Sequence, residues 1–296
     1  MVQNVIKSVC LLFFMLLHLH NSKAQKYFYL GNIDSAKNIK QYTLHTKDLY
    51  PKIDKEIKVY NYYALNNALY LFAVFPNMKN QKDWIPIDTS NMKNILNYFD
   101  IEKIFDDAVH KYVKNQNAVI DNLKRRDIIP IINKNGVMMI PTGICTSEFF
   151  LIDPSLVKSV FPNENLVGII DMALPTFSIK EYHEKSLLAG LRSPFSASNS
   201  YMLSLPAQAS RDFLSHTSII KGETAYHFWT LSDWSVHDGL NLQRGIERFV
   251  YIPGKGIVGG SYDFYFAFYN LLPDDLNKRL EQRINEEVML AEELKE

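Results

Sequence analysis

The stretch "YIPGKGIVGGSYDFYFAF", Tyr251 to Phe268, sets Gly254, Gly256 and Gly259 in the G-x-G-x-x-G spacing that cradles phosphates in nucleotide-binding proteins. A phosphate cradle needs a strand before the glycines and a helix opening at the third, because the helix N-terminus holds the anion. Phe249 to Ile252 reads as the strand, but "SYDFYFAFY" follows, dominated by aromatics with few helix formers. The glycines are therefore read as a hairpin loop that needs positive φ, and neither a nucleotide nor any other cofactor is expected. On this reading Tyr262, Phe264, Phe266 and Phe268 line one face of a second strand, opposite Asp263, Tyr265 and Ala267. Each buried ring contributes roughly 1.5–3 kcal/mol, so the strand is expected at the centre of a sheet.

Other strand signals lie upstream. Tyr27–Leu30 and Leu69–Phe75 are short aromatic and β-branched runs closed by Gly31-Asn32 and Pro76-Asn77. Ile57 to Phe75 reads as a hairpin around Asn66-Asn67. Runs at 128–132, 136–141, 148–153 and 166–171 are each bounded by Pro, Gly or Asn, with Asn135-Gly136 as a turn between the first two.

Helical spacing appears in three places. After Asp88-Thr89-Ser90, Met92, Ile95, Leu96 and Phe99 share a helical face; Asp100 then caps a second helix running toward Lys124-Arg125-Arg126. A third helix is read over 179–191. Pro273 and Asp274-Asp275 open a terminal amphipathic helix with the stripe Leu276, Leu280, Ile284, Val288 and Ala291. Arg192 to Ser210, rich in Ser and Pro, reads as a loop or flap. The pattern predicts an α+β fold: a mixed or mainly antiparallel sheet, helices packed on one side, and a C-terminal amphipathic helix. One domain is expected over 25–296, with a soft boundary at 192–210.

The first 24 residues carry Lys7, an apolar run from Val9 to Leu17 and the small-residue site Ser22-Lys23-Ala24. That is the pattern of a cleaved signal peptide, and the run is about half the roughly 20 residues a spanning helix needs. Export to the periplasm or outside the cell is expected, without stable membrane insertion after cleavage. The chain has 32 basic and 32 acidic residues, and loss of Lys7 and Lys23 leaves a net charge of −2. No basic excess points to nucleic acid. Cys10 belongs to the signal, which leaves Cys145 alone and unable to form an intramolecular disulfide. No Asn-x-Ser/Thr acceptor occurs despite many Asn residues, which fits a bacterial protein.

The densest set of functional side chains is "ETAYHFWTLSDWSVHDGLNLQRGIER", Glu223 to Arg248. His227, Asp233 and His237 are candidate acid–base groups, with Cys145 a candidate nucleophile. Ten residues separate the two histidines without a metal-binding pattern, so no metal is expected. Tyr226, Trp229 and Trp234 are candidate stacking residues for a sugar or a peptide side chain. No G-x-S-x-G elbow occurs. The expectation is an exported, non-catalytic protein that binds a protein or polysaccharide partner; the alternative is an exported hydrolase built from 223–247 and the 192–210 loop.

Overall fold

The structure is a computed structural model that describes residues 25–32, 38–64, 68–79, 82–90, 92, 94–97, 99–101, 103–104, 125–126, 128–152, 165–166, 168–188, 211–231, 245–268 and 286–296. Its strands are β1 (Lys26–Asn32), β2 (Ile39–His45), β3 (Glu56–Ala64), β4 (Ala68–Val74), β5 (Trp84–Pro86), β6 (Ile95–Leu96), β7 (Arg125–Arg126) and β8 (Ile128–Lys134). They continue as β9 (Val137–Pro141), β10 (Cys145–Leu151), β11 (Asn165–Leu166), β12 (Arg211–Ile220), β13 (Glu223–Leu231), β14 (Arg248–Ile252), β15 (Gly256–Ser261) and β16 (Met289–Leu290). Two short α-helices accompany them among the described residues, α1 (Ile179–Leu188) and α2 (Asp263–Phe268).

The strands form three sheets. The first has the order β5-β9-β8-β1-β6, the second β2-β3-β4-β10-β7, and the third β11-β12-β13-β14-β15-β16. The first is mixed, because β1 runs parallel to both β6 and β8, whereas every pairing in the second and third is antiparallel. The second sheet is the middle layer, and β4 shows why. All seven residues of "ALYLFAV" are buried. Leu69, Leu71 and Ala73 join a core with Phe228, Val250 and Val258 of the third sheet. Tyr70, Phe72 and Val74 alternate to the opposite face and join a core with Phe28, Ile128 and Ile132 of the first. A strand covered on both faces has no polar side to alternate with, which is why its sequence is one continuous apolar run.

The α+β expectation is overturned. Three sheets carry the architecture, and among the described residues no layer of helices covers one side of a single sheet. Ile95 and Leu96, read as helical, pair with Tyr27 and Phe28 at the edge of the first sheet. The second expected helix is helical where it is described, at 99–101 and 103–104; 102 and 105–124 lie outside the described residues, and Arg125–Arg126 form a strand on β10. At the C-terminus Met289 and Leu290 pair with Gly260 and Gly259, so the expected amphipathic helix does not extend that far; 269–285 lie outside the described residues. At 95–96 and 289–290 an apolar pair that fits two periods is recruited by an open strand edge, and pairing overrides spacing.

The stretch that opened the reading splits differently from expectation. Gly254 and Gly256 have φ of 75° and 91° and turn the β14–β15 hairpin. The second strand, however, is the glycine-bearing segment itself, and the aromatic segment from Asp263 to Phe268 is α2. Gly260 lies against the Ile246 side chain, and a Cβ on Gly259 would sit 2.8 Å from the Met289 carbonyl. At Gly259 and Gly260 the neighbouring chain approaches β15 too closely for a side chain.

Buried polar groups pin the layers. Asn61 of β3 donates from Nδ2 to the Ile257 carbonyl at 2.9 Å and accepts at Oδ1 from the Ile257 N–H at 2.7 Å. Glu148 of β10 accepts from the Ile246 N–H at 2.8 Å. Arg248 pairs with Asp263 at 2.8 Å, and the Tyr50 hydroxyl donates to the same carboxylate at 2.8 Å.

Candidate functional site

A cleft of about 330 Å³ opens between the first and second sheets. Gln41 of β2 and Tyr60 of β3 are direct cross-strand neighbours, so both present to the same face. Across from them stand Trp84 of β5 and Asn133 and Lys134 of β8. The Asn135-Gly136 turn, with φ of 53° and 82°, ends β8 as a tight hairpin and fixes Asn133, whose Oδ1 accepts from the Gly136 N–H at 2.8 Å. The Trp84 and Tyr60 rings meet edge to face at 6.2 Å between centroids.

Tyr60 is 2% exposed, yet no group among the described residues hydrogen-bonds to its hydroxyl, and the hydroxyl is not sealed from the cleft. Burial pushes its pKa up, so it remains a protonated donor at neutral pH. Gln41 and Lys134 also lack partners among the described residues. The other charged groups of the lining are committed: Lys58 lies 2.6 Å from Glu56 and donates to Thr43 at 2.9 Å, and Asp83 accepts from the Asn77 N–H at 2.9 Å.

A second constellation lies on the outer face of the third sheet. Phe228 points into the core, so its neighbours His227 and Trp229 point away from it. A bulge between Leu214 and His216 brings His216 opposite His227, and the two rings stack at 4.1 Å and 15°. His227 Nε2 lies 2.8 Å from Ser218 Oγ, and His216 Nδ1 lies 3.2 Å from Glu286, whose other oxygen accepts from Ile179 N–H at the start of α1. Burial, with a smaller contribution from His216, pushes His227 down to about 4. It is neutral at physiological pH and a weak base. The carboxylate serves His216, so among the described residues Ser218 and His227 have no acid of their own to orient the imidazole.

The residues singled out from the sequence disperse. Cys145 sits on β10 of the middle sheet and packs into the core shared with the first, while His227 faces outward from the third. A sheet and a core separate them. Burial also raises the Cys145 thiol pKa, which keeps thiolate scarce. Trp229 is core: 1% exposed, stacked on Phe213 at 4.5 Å, its Nε1 donating to the Phe177 carbonyl at 2.8 Å. Tyr226 is half-buried against the core between the second and third sheets. Asp233, Trp234 and His237, and the 192–210 loop, lie outside the described residues. Among the described residues no group of three or more His, Cys, Asp and Glu is placed to hold a metal, and no helix is long and apolar enough to cross a membrane.

Sequence reasoning missed Trp84 and Tyr60. "KDWIPID" is an ordinary three-residue strand with its turns, and Tyr60 is one of several tyrosines in "VYNYYA". Nothing local says that the two rings meet across two sheets. Comparison of the chain with protein-family models, curated proteins and solved structures finds no match in any of the three.

Proposed function

We propose that the protein is an exported, non-catalytic binding protein that holds a protein or polysaccharide partner, in the periplasm or outside the cell, at the cleft between the first and second sheets. The observation that carries this reading is Tyr60, a side chain otherwise buried that lines the cavity and whose hydroxyl has no partner among the described residues. Because that hydroxyl is open to the cleft, water can satisfy it in the free protein, and a ligand hydroxyl or carbonyl can take the water's place. Trp84 offers an aromatic surface beside it, and Gln41 and Lys134 offer uncommitted polar groups. The near-neutral charge of the chain disfavours nucleic acid or anionic lipid as the partner.

The hydrolase reading draws on one contact, the 2.8 Å approach of Ser218 to His227. Its weakness is the imidazole, which burial makes a poor base. One experiment separates the two. The chain is produced with its own N-terminus, the exported form is sequenced from its first residue, and partners are captured on wild type, Trp84→Ala and Ser218→Ala. Binding lost in Trp84→Ala and kept in Ser218→Ala supports the binder. Turnover of a captured substrate, abolished by Ser218→Ala, overturns it.

A further inference from the structure

We propose that the cleft binds a neutral sugar ring of a polysaccharide, with Trp84 under the ring and Tyr60, Gln41, Asn133 and Lys134 holding its hydroxyls. This rests on the cleft being the binding site, as argued above. A pyranose presents an apolar C–H face and an equatorial belt of hydroxyls, each both donor and acceptor. The cleft offers the same two surfaces. Trp84 is half-buried and braced edge to face by Tyr60, so an aromatic plane is held in place before any ligand arrives. The uncommitted polar groups around it are the Gln41 amide, the Asn133 amide N–H groups, the Tyr60 hydroxyl and the Lys134 ammonium. Amides and hydroxyls pair with sugar hydroxyls in either direction.

Charge and size narrow the class. A site for phosphate, sulfate or uronic acid would gather cations free of anionic partners. Here Lys58 is held by Glu56, and the lining as a whole carries two cations, Lys58 and Lys134, against two anions, Glu56 and Asp83, so it has no net positive charge. The volume, about 330 Å³, is at the small end of the range for small-ligand sites, roughly 300–1,000 Å³. It suits a ring or two of a longer chain rather than a folded surface.

The test is binding of the full exported chain to an array of neutral, sulfated and uronic-acid oligosaccharides, followed by calorimetry on any neutral hit at two salt concentrations. Expected are binding to neutral glycans, affinity that changes less than about twofold with salt, and a loss of at least about tenfold in Trp84→Ala. Tyr60→Phe should weaken the glycan several-fold while leaving the melting temperature equal to or above wild type, because the deleted hydroxyl has no protein partner. Gln41→Ala, on the exposed rim, keeps the test valid if Trp84→Ala fails to fold, and should weaken binding in the same direction. Preference for anionic glycans with steep salt dependence overturns the inference. So does an array with no neutral hit while a protein partner is captured through the cleft and lost in Trp84→Ala, which would leave the cleft as the binding site. Captured partners or glycans indifferent to Trp84→Ala, Tyr60→Phe and Gln41→Ala would overturn the site itself and the sugar with it.

Discussion

Replacing Asn61 should unfasten the second sheet from the third. β16 is only two residues long and pairs with Gly259 and Gly260, so at Ile257 the flanking edge of β15 has no strand beside it among the described residues. The Asn61 side chain fills that place: its amide binds both the N–H and the C=O of Ile257, at 2.7 and 2.9 Å, with Asn61 itself 0% exposed. Asn61→Leu keeps the volume but leaves two buried backbone groups unpaired beside an apolar side chain. At about 1–3 kcal/mol for each orphaned group, the loss is roughly 2–6 kcal/mol. For a chain of this length that corresponds to a drop in Tm of roughly 5–15 °C. Urea unfolding followed by tryptophan fluorescence measures the first quantity, and calorimetry the second. Asn61→Asp keeps an acceptor for the Ile257 N–H and loses the donor to its carbonyl. It also buries a charge, so it should be no more stable than the Leu variant. A Leu variant within about 0.5 kcal/mol of wild type would refute the claim that this amide does a strand's work.

Three further outcomes follow from named contacts. Gly245 has φ of 80°, and a Cβ there would lie within 2.5 Å of a Glu148 carboxylate oxygen, so Gly245→Ala should destabilise by about 2 kcal/mol or more by urea titration. Asp263→Asn removes the charge partner of buried Arg248 and should cost about 3–5 kcal/mol, whereas joint replacement of Arg248 and Asp263 by apolar residues should cost less than the single change. His227 is neutral in the fold, with its pKa moved from 6.5 to about 4. The unfolded chain therefore binds more protons between those values. Stability should rise with pH through that window and be lost as pH falls from about 6.5 to about 4, and His227→Gln should flatten the curve in a pH series of urea midpoints.

The local devices were legible where their physics is local. Asn135-Gly136 turns a hairpin because both positions need positive φ, and the "ALYLFAV" run announces burial by having no polar alternation. The helix expected from Ile179 opens there, where Ser178 and Glu181 bond each other's backbone N–H groups at 3.1 and 2.8 Å, a cap found in the structure and not read from the sequence. Ile95-Leu96 and Met289-Leu290 were not legible, since a two-residue apolar pair fits either period and its fate depends on which strand edge lies open beside it. The same limit hid the cleft: Tyr60, Trp84 and Asn133 are dispersed over some seventy positions and meet only when the first sheet is laid on the second.

By itself the sequence determined the turns, the strand content of its apolar runs and the near-neutral charge, because these follow from each residue's own backbone preference, side chain and ionisation. Tertiary structure alone decided that β4 is sandwiched between two sheets, that the aromatics after the glycines coil into α2, and that Tyr60, otherwise buried, lines a cavity. Those outcomes depend on which surfaces compete for the same partner, and such competition is settled between segments distant in the chain.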